Sequence, residues 1–330
     1  MLYTREELDK VSDPKNTEPG STPEILSELL RKLYAGEKML LSEQIAVCNI
    51  LPILHSSEDD STLNPYDFPE LDIAQFLRVH STYFRNLNGH YPAHDWKGEI
   101  PREQVIKDIA FLNRHYEEWK ELISKTNHKS ELLIMALSET NNQLKDLIKY
   151  QKRDFVGSNL AEYQKKSTTL FGKKAYYLLQ EYYEFKDKNF IEFEVSGVII
   201  RIDAFGYFHT LTRHFSALTR DHLDDKDFHI DNVNYRYLPD NIETILLVYD
   251  KPENKYLFDN NHLMFSIGGK PYSIRFKKMN RPKRGGGEIE YYRFQTFYPV
   301  SDPNELRKFN SIKRLDFPPF KTAFNTRSES

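Results

Sequence analysis

The sequence predicts an α+β protein: an all-helical N-terminal domain followed by a helix and a small antiparallel β-sheet. Three observations carry this. Apolar residues recur at helical spacing from residue 23 to about 153. After Lys188 the period switches to two. The turn signals "GGKP" and "RPKRGGGE" then separate runs rich in β-branched and aromatic residues. The 330 residues are enough for about two domains. We place a flexible arm at 1–22, a helical domain at 23–153 and an α+β domain at 154–330.

The arm is polar, with Pro14, Pro19 and Gly20. "STPEILSELLRKL" starts a helix: Thr22 can cap it, Pro23 suits the first position and Glu24 favours the dipole. Residues 55–69 and the stretch "NGHYPAHDWKGEIP" read as loops around the helix of "ELDIAQFLRVHSTYFRNL". Amphipathic stretches follow at roughly 102–124 and 129–153; the first spaces Ile106, Ile109, Leu112, Tyr116, Trp119 and Ile123 helically. "VGS" at 156–158 marks the boundary, and one or two helices lead on to Lys188. In "FIEFEVSGVIIRID", Ile191, Phe193 and Val195 alternate with Glu192 and Glu194, as in a half-buried strand. A helix over 204–222 precedes four β-rich runs: "IETILLVYD", "HLMFSI", "KPYSIRFKK" and "IEYYRFQTFYP".

A formal net charge of −3 excludes polyanion binding by bulk charge, although a local basic patch still permits it. The single cysteine, Cys48, lies in the apolar run "IAVCNIL", so we expect a buried, inert thiol in a reducing compartment. "MLYTREELDK" is charged from Arg5 onward and no long apolar run follows, so neither a signal peptide nor a membrane span is expected, and the location expected is cytoplasmic.

The helix "YFHTLTRHFSALTR" carries the first candidate site. Phe208, Leu211, Phe215 and Leu218 share one face, and His209, Thr212, Arg213, Ser216 and Arg220 share the opposite one. His209 and Arg213 are neighbours one turn apart, and His214 borders the apolar stripe. RNA cleavage by its own 2′-hydroxyl needs a base and an acid, and imidazole serves as either near neutral pH. A placed guanidinium stabilises the charge that develops at phosphorus. This chemistry needs no cofactor or metal, and His209 and His214 diverge by about 140°, which disfavours a shared metal ion. Read blandly, the same residues are a solvated helix face.

The last strands supply cations and rings. Lys270, Arg275, Lys277, Lys278, Arg281, Lys283, Arg284 and Arg293 face only Glu288 and Glu290, with seven aromatics interleaved. Such a mixture suits phosphate and base contacts in single-stranded RNA. Arg275 and Lys277 project to one side, Thr296 and Tyr298 share a face, and Pro299 closes the strand.

This order of "FHTLTRHF", "YLPDNIETILLVYDKPENKY", "MFSIGGKPYSIRFKK" and "FQTFYP" resembles the ribonuclease-type toxin superfamily that groups barnase, EndoU, colicin-D-like and RelE-like domains, above all its phage-associated and polymorphic-toxin branches. The resemblance covers about residues 190–300 and rests on short motifs. It implies a metal-independent endoribonuclease with a sheet of ribonuclease-toxin type. His209 and His214 would be acid and base, Arg213 a phosphate contact and Arg275 the transition-state stabiliser. Thr296 would hold the scissile phosphate; Lys277, Arg293 and Tyr298 are read as substrate contacts from the cations and rings of the last strands themselves. It also implies RNA as substrate, an antitoxin or immunity protein as partner, and helices that bind a partner, regulate or form a homo-oligomer. The alternatives are a non-catalytic module that binds nucleic acid or protein, and a purely structural protein.

Other clusters read as structural. Pro92 interrupts the His90 to His94 spacing, "DHLDDKDFHID" lacks a calcium-loop pattern and reads as a solvated acidic loop, and His115 and His128 read as polar helix surface.

Overall fold

The computed structural model describes residues 3, 5–12, 23–51, 63–83, 94–95, 98–125, 130–154, 159–186, 190–215, 229, 233, 237–257 and 261–320. The chain divides into two compact units, Met1–Trp119 and Lys120–Ser330.

In the first unit, α1 (Arg5–Ser12), α2 (Pro23–Tyr34), α3 (Leu41–Ile50), α4 (Asp72–Tyr83) and α5 (Arg102–Ser124, which runs across the division) surround a core that includes Leu29, Leu33, Val47, Phe76, Leu112 and Trp119. α1 falls within the expected arm, yet it is a helix with Leu8 and Val11 buried. A short antiparallel ladder, β1 (His94–Asp95) with β2 (Gly98–Glu99), lies where a loop was expected. Cys48 is buried, and burial pushes its thiol up to about 11. His115 corrects the expectation of a surface histidine. It is buried, stacked on Phe76 at 4.6 Å, with Nε2 3.3 Å from an Asp72 carboxylate oxygen. Its polar position on the helix wheel is met by an acid of α4 rather than by water.

The second unit holds α6 (Glu131–Asp154), α7 (Asn159–Lys186), α8 (Ala204–His214), α9 (Leu238–Tyr249), α10 (Pro303–Ser311) and a six-stranded sheet. The strands are β3 (Phe190–Val195), β4 (Val198–Asp203), β5 (His262–Ile267), β6 (Lys270–Pro282), β7 (Glu288–Pro299) and β8 (Asp316–Phe317), in the order β3-β4-β7-β6-β5-β8.

The α+β class stands, but the antiparallel sheet is corrected to a mixed one, since β4–β7 and β5–β8 pair in parallel. The stretch 190–203 is a hairpin rather than one strand. Ser196 (φ 54°) and Gly197 (φ 81°) form a two-residue turn whose positive φ angles match the strand twist. "IETILLVYD", expected as β, lies in α9. Its Ile242, Ile245, Leu246 and Tyr249 are buried at i, i+3, i+4 and i+7, and Pro239 with Asp240 opens the helix. The β-branched content of the run suggested a strand, but its spacing is helical. Of the helix expected over 204–222, Ala204–His214 is observed, and residues 216–222 lie outside the described part.

The position of α8 follows from the sheet. β4 pairs with β7 only at Ile200–Tyr292 and Arg201–Arg293. The chain then turns at Asp203, whose side chain caps α8 by accepting from Phe205 N at 3.1 Å. Beyond that point α8 takes β4's place beside β7. Thr210 Oγ1 accepts from Phe297 N at 3.1 Å, and Gly206 meets Phe294 so closely that a Cβ would lie 2.6 Å from its carbonyl oxygen. Gln295 is the extra residue of a β-bulge, because Arg275 pairs with Thr296 while Phe276 pairs with Phe294. The bulge lets both Phe294 and Phe297 enter the core despite being three residues apart. Tyr207, Phe208 and Leu211 of α8 are buried as well, each contributing roughly 1.5–3 kcal/mol.

Candidate active site

The polar face of α8 is not a wet one. Thr212 is buried, and Arg213 donates from Nε to Glu139 Oε1 at 3.2 Å and from NH1 to Asp146 Oδ2 at 2.7 Å. Glu139 and Asp146 lie seven residues apart on α6, so they share a helix face and meet the guanidinium together. The same Glu139 oxygen lies 3.8 Å from His209 Nδ1. His209, a third exposed, stacks on Phe205 with ring centroids 6.1 Å apart.

The two histidines are closer than the helix wheel implies. Their ring centroids are 6.4 Å apart in an edge-to-face arrangement, because His214 is the last residue of α8. His214 in turn stacks on Tyr298 of β7 at 5.3 Å. The Arg275 guanidinium lies over the same Tyr298 ring, 5.5 Å from its centroid. Arg275 and Thr296 are directly opposite across β6 and β7, so their side chains leave the same face. One continuous series therefore connects His209, His214, Tyr298, Arg275 and Thr296.

Each basic member of the wider set has its own surroundings. Arg275 is ion-paired with Glu305 of α10, which also accepts from the Tyr298 hydroxyl at 3.0 Å. Arg293 is held inside the fold: Nε donates to Asp203 Oδ2 at 2.7 Å and the guanidinium lies 4.6 Å from the Phe205 ring. Lys277 is exposed opposite Arg293 on β6. Lys278 pairs with Glu290 at 2.5 Å, and Arg281 donates twice to Glu192, both at 2.6 Å. The side chains of Lys277, Lys283 and Arg284 have no ion-pair partner among the described residues.

His229 was expected in a solvated acidic loop but is buried. It packs between Phe215 at 4.4 Å and Tyr272 at 5.4 Å, with Nε2 2.9 Å from Phe297 O. Burial lowers its pKa to about 3, so the ring is neutral and Nε2 donates. His90, the side chain of His94, His128 and residues 221–228 lie outside the described part. Among the described residues no group of three or more His, Cys, Asp or Glu is placed to hold a metal ion. No described helix is long and apolar enough to cross a membrane.

Sequence reasoning missed Glu139, Asp146 and Glu305. The seven-residue spacing of the first two on an amphipathic helix was a readable acidic stripe. Glu305 follows "SDPN", where Asp302 caps α10 through Asn304 N and Glu305 N, so a helix start after the last strand was also readable. Comparison of the chain with protein-family profiles, characterised proteins and solved structures returned no match.

Proposed function

We propose that the second unit is a metal-independent endoribonuclease of toxin or defence type, related to the barnase, EndoU, colicin-D and RelE group and acting on cytoplasmic RNA. The observation that carries this reading is the series His209–His214–Tyr298–Arg275, with Thr296 opposite Arg275. It joins two imidazoles, a guanidinium and a hydroxyl, the groups that 2′-hydroxyl attack requires. His209 takes the 2′-hydroxyl proton, and the Glu139 carboxylate beside it stabilises the resulting imidazolium. The 2′-oxygen bonds to phosphorus as the bond to the 5′-oxygen breaks, and His214 protonates that leaving oxygen. Arg275 and Thr296 offset the charge on the phosphorane. The products are a 2′,3′-cyclic phosphate and a free 5′-hydroxyl. Arg213 serves to hold α8 on α6 rather than to touch phosphate.

The test is incubation of the full chain with single-stranded RNA in EDTA. Wild type should cleave it, and His209→Ala should lose at least about 10²-fold in rate with unchanged thermal stability. Absence of cleavage both by wild type and by Glu305→Gln, which removes the carboxylate paired with Arg275, would overturn the reading. A second reading is supported by the paired state of Arg213, Arg275 and Arg293. In it the unit binds nucleic acid without cutting, through the exposed Lys277, Lys283 and Arg284 of the β6–β7 hairpin. RNA retention without cleavage, lost on substitution of these three residues, would favour it.

A further inference from the structure

We infer that Arg275, Tyr298, Thr296 and Ser273 form a phosphate-binding subsite that the chain fills with its own Glu305, so that α10 is an internal anion plug. The inference deepens the ribonuclease reading by giving that site a means of regulation, and the phosphate it accepts is that of an RNA backbone. The subsite is built on two adjacent strands. Ser273 faces Tyr298 and Arg275 faces Thr296 in the β6–β7 register, so all four side chains leave one face of the sheet. Glu305 accepts the Arg275 ion pair and the Tyr298 hydroxyl, which lies 3.0 and 3.3 Å from its two oxygens.

The two remaining hydroxyls mark what the carboxylate leaves undone. Ser273 is fully buried and Thr296 Oγ1 is shielded from solvent, yet neither oxygen has a hydrogen-bond partner among the described residues. A buried hydroxyl without a partner is costly, and such a pair beside a guanidinium is a receptor with vacant donors. A planar carboxylate has two oxygens, and Arg275 and Tyr298 engage both. A tetrahedral phosphate brings further oxygens at angles that reach toward the strand hydroxyls.

The plug is also weakly held. α10 has nine residues, too few to be stable alone. Phe309 is its only buried residue, and beyond Glu305 it is tied by Lys308 Nζ, 3.4 Å from His262 Nδ1, and by Arg314, which lies 4.2 Å from the Phe309 ring centroid and donates to Phe309 O at 3.3 Å. Little apolar area opposes its release, so a phosphate chain in high local concentration can displace Glu305.

The experiment titrates inorganic phosphate, and separately a short single-stranded RNA, into full-length wild type, Glu305→Gln and Glu305→Ala, following the Arg275 side-chain NMR signal. Circular dichroism checks folding. Wild type should bind phosphate weakly, and both variants should gain affinity by a factor on the order of ten. Adding Arg275→Ala should remove the gain. Glu305→Gln keeps the side-chain shape, so it reports even if Glu305→Ala unfolds. Unchanged phosphate affinity in folded Glu305→Gln would overturn the inference. A gain in phosphate binding without RNA cleavage by any variant would uphold the subsite and overturn the ribonuclease reading. A gain in both would tie the plug to control of cleavage.

Discussion

The Arg213 guanidinium lies 2.7 Å from the Asp146 carboxylate, and its Nε reaches Glu139 as well. A side chain that looks like a phosphate ligand is thus the bolt between α8 and α6. Its removal leaves two acids facing each other in a half-buried interface. We expect Arg213→Ala to destabilise the protein by about 1–3 kcal/mol, the range for hydrogen bonds to charged groups. Arg213→Lys should recover only part of this, because an ammonium does not span two carboxylates as a guanidinium does. Urea unfolding measures the loss. Unchanged stability combined with weakened RNA binding would instead put Arg213 on substrate.

Gly206 sets how near α8 comes to β7. Ala in its place would gain about 1 kcal/mol of helix propensity. The new Cβ, however, would sit 2.6 Å from the Phe294 carbonyl oxygen and 2.2 Å from its ring. Overpacking of this kind costs roughly 1–3 kcal/mol or more, and a backbone atom cannot rotate out of the way. We expect Gly206→Ala to lower the melting temperature and to weaken any activity that needs His214 against Tyr298. An equal or higher melting temperature would show that α8 shifts freely on the sheet.

His229 gives the fold a pH dependence of definite sign. Its folded pKa, about 3, lies below the ordinary 6.5 because burial disfavours the imidazolium. The unfolded chain therefore takes up a proton first as pH falls. The contribution of His229 is fully present above pH 6.5 and is lost progressively toward pH 3, with a slope of about one proton. His229→Gln, whose amide can still donate to Phe297 O, should flatten this part of the profile. Chemical denaturation at several pH values checks it, and an unchanged slope would assign the effect to another group.

Much of the fold was legible where pattern and punctuation agree. Pro23 opening α2, the Gly268–Gly269 turn and the glycine tip of the long hairpin all lie where their residues require. Two things were less legible. α9 combines β-branched residues with helical spacing, and local preference misled where burial against the sheet decided. The parallel pairing of β4 with β7 joins residues about ninety positions apart, which no short window contains.

For the candidate site, the histidines and the strand residues could be named, but their partners could not. Glu139 and Glu305 come from elements before and after the motif, and carboxylates become informative only once the chain has brought them to a cation. Arg293 shows the reverse case: a cation in a basic run reads as available until its strand neighbour Asp203 is seen to hold it.

The hydrogen bonds that Thr210 and His229 make with Phe297 reach past the site. They use up the main-chain donor and acceptor that this stretch of strand would otherwise offer to a newcomer. A second molecule cannot extend the sheet there without first prising the helix away. The packing that places His214 against Tyr298 thus also closes this stretch of strand to edge-to-edge pairing.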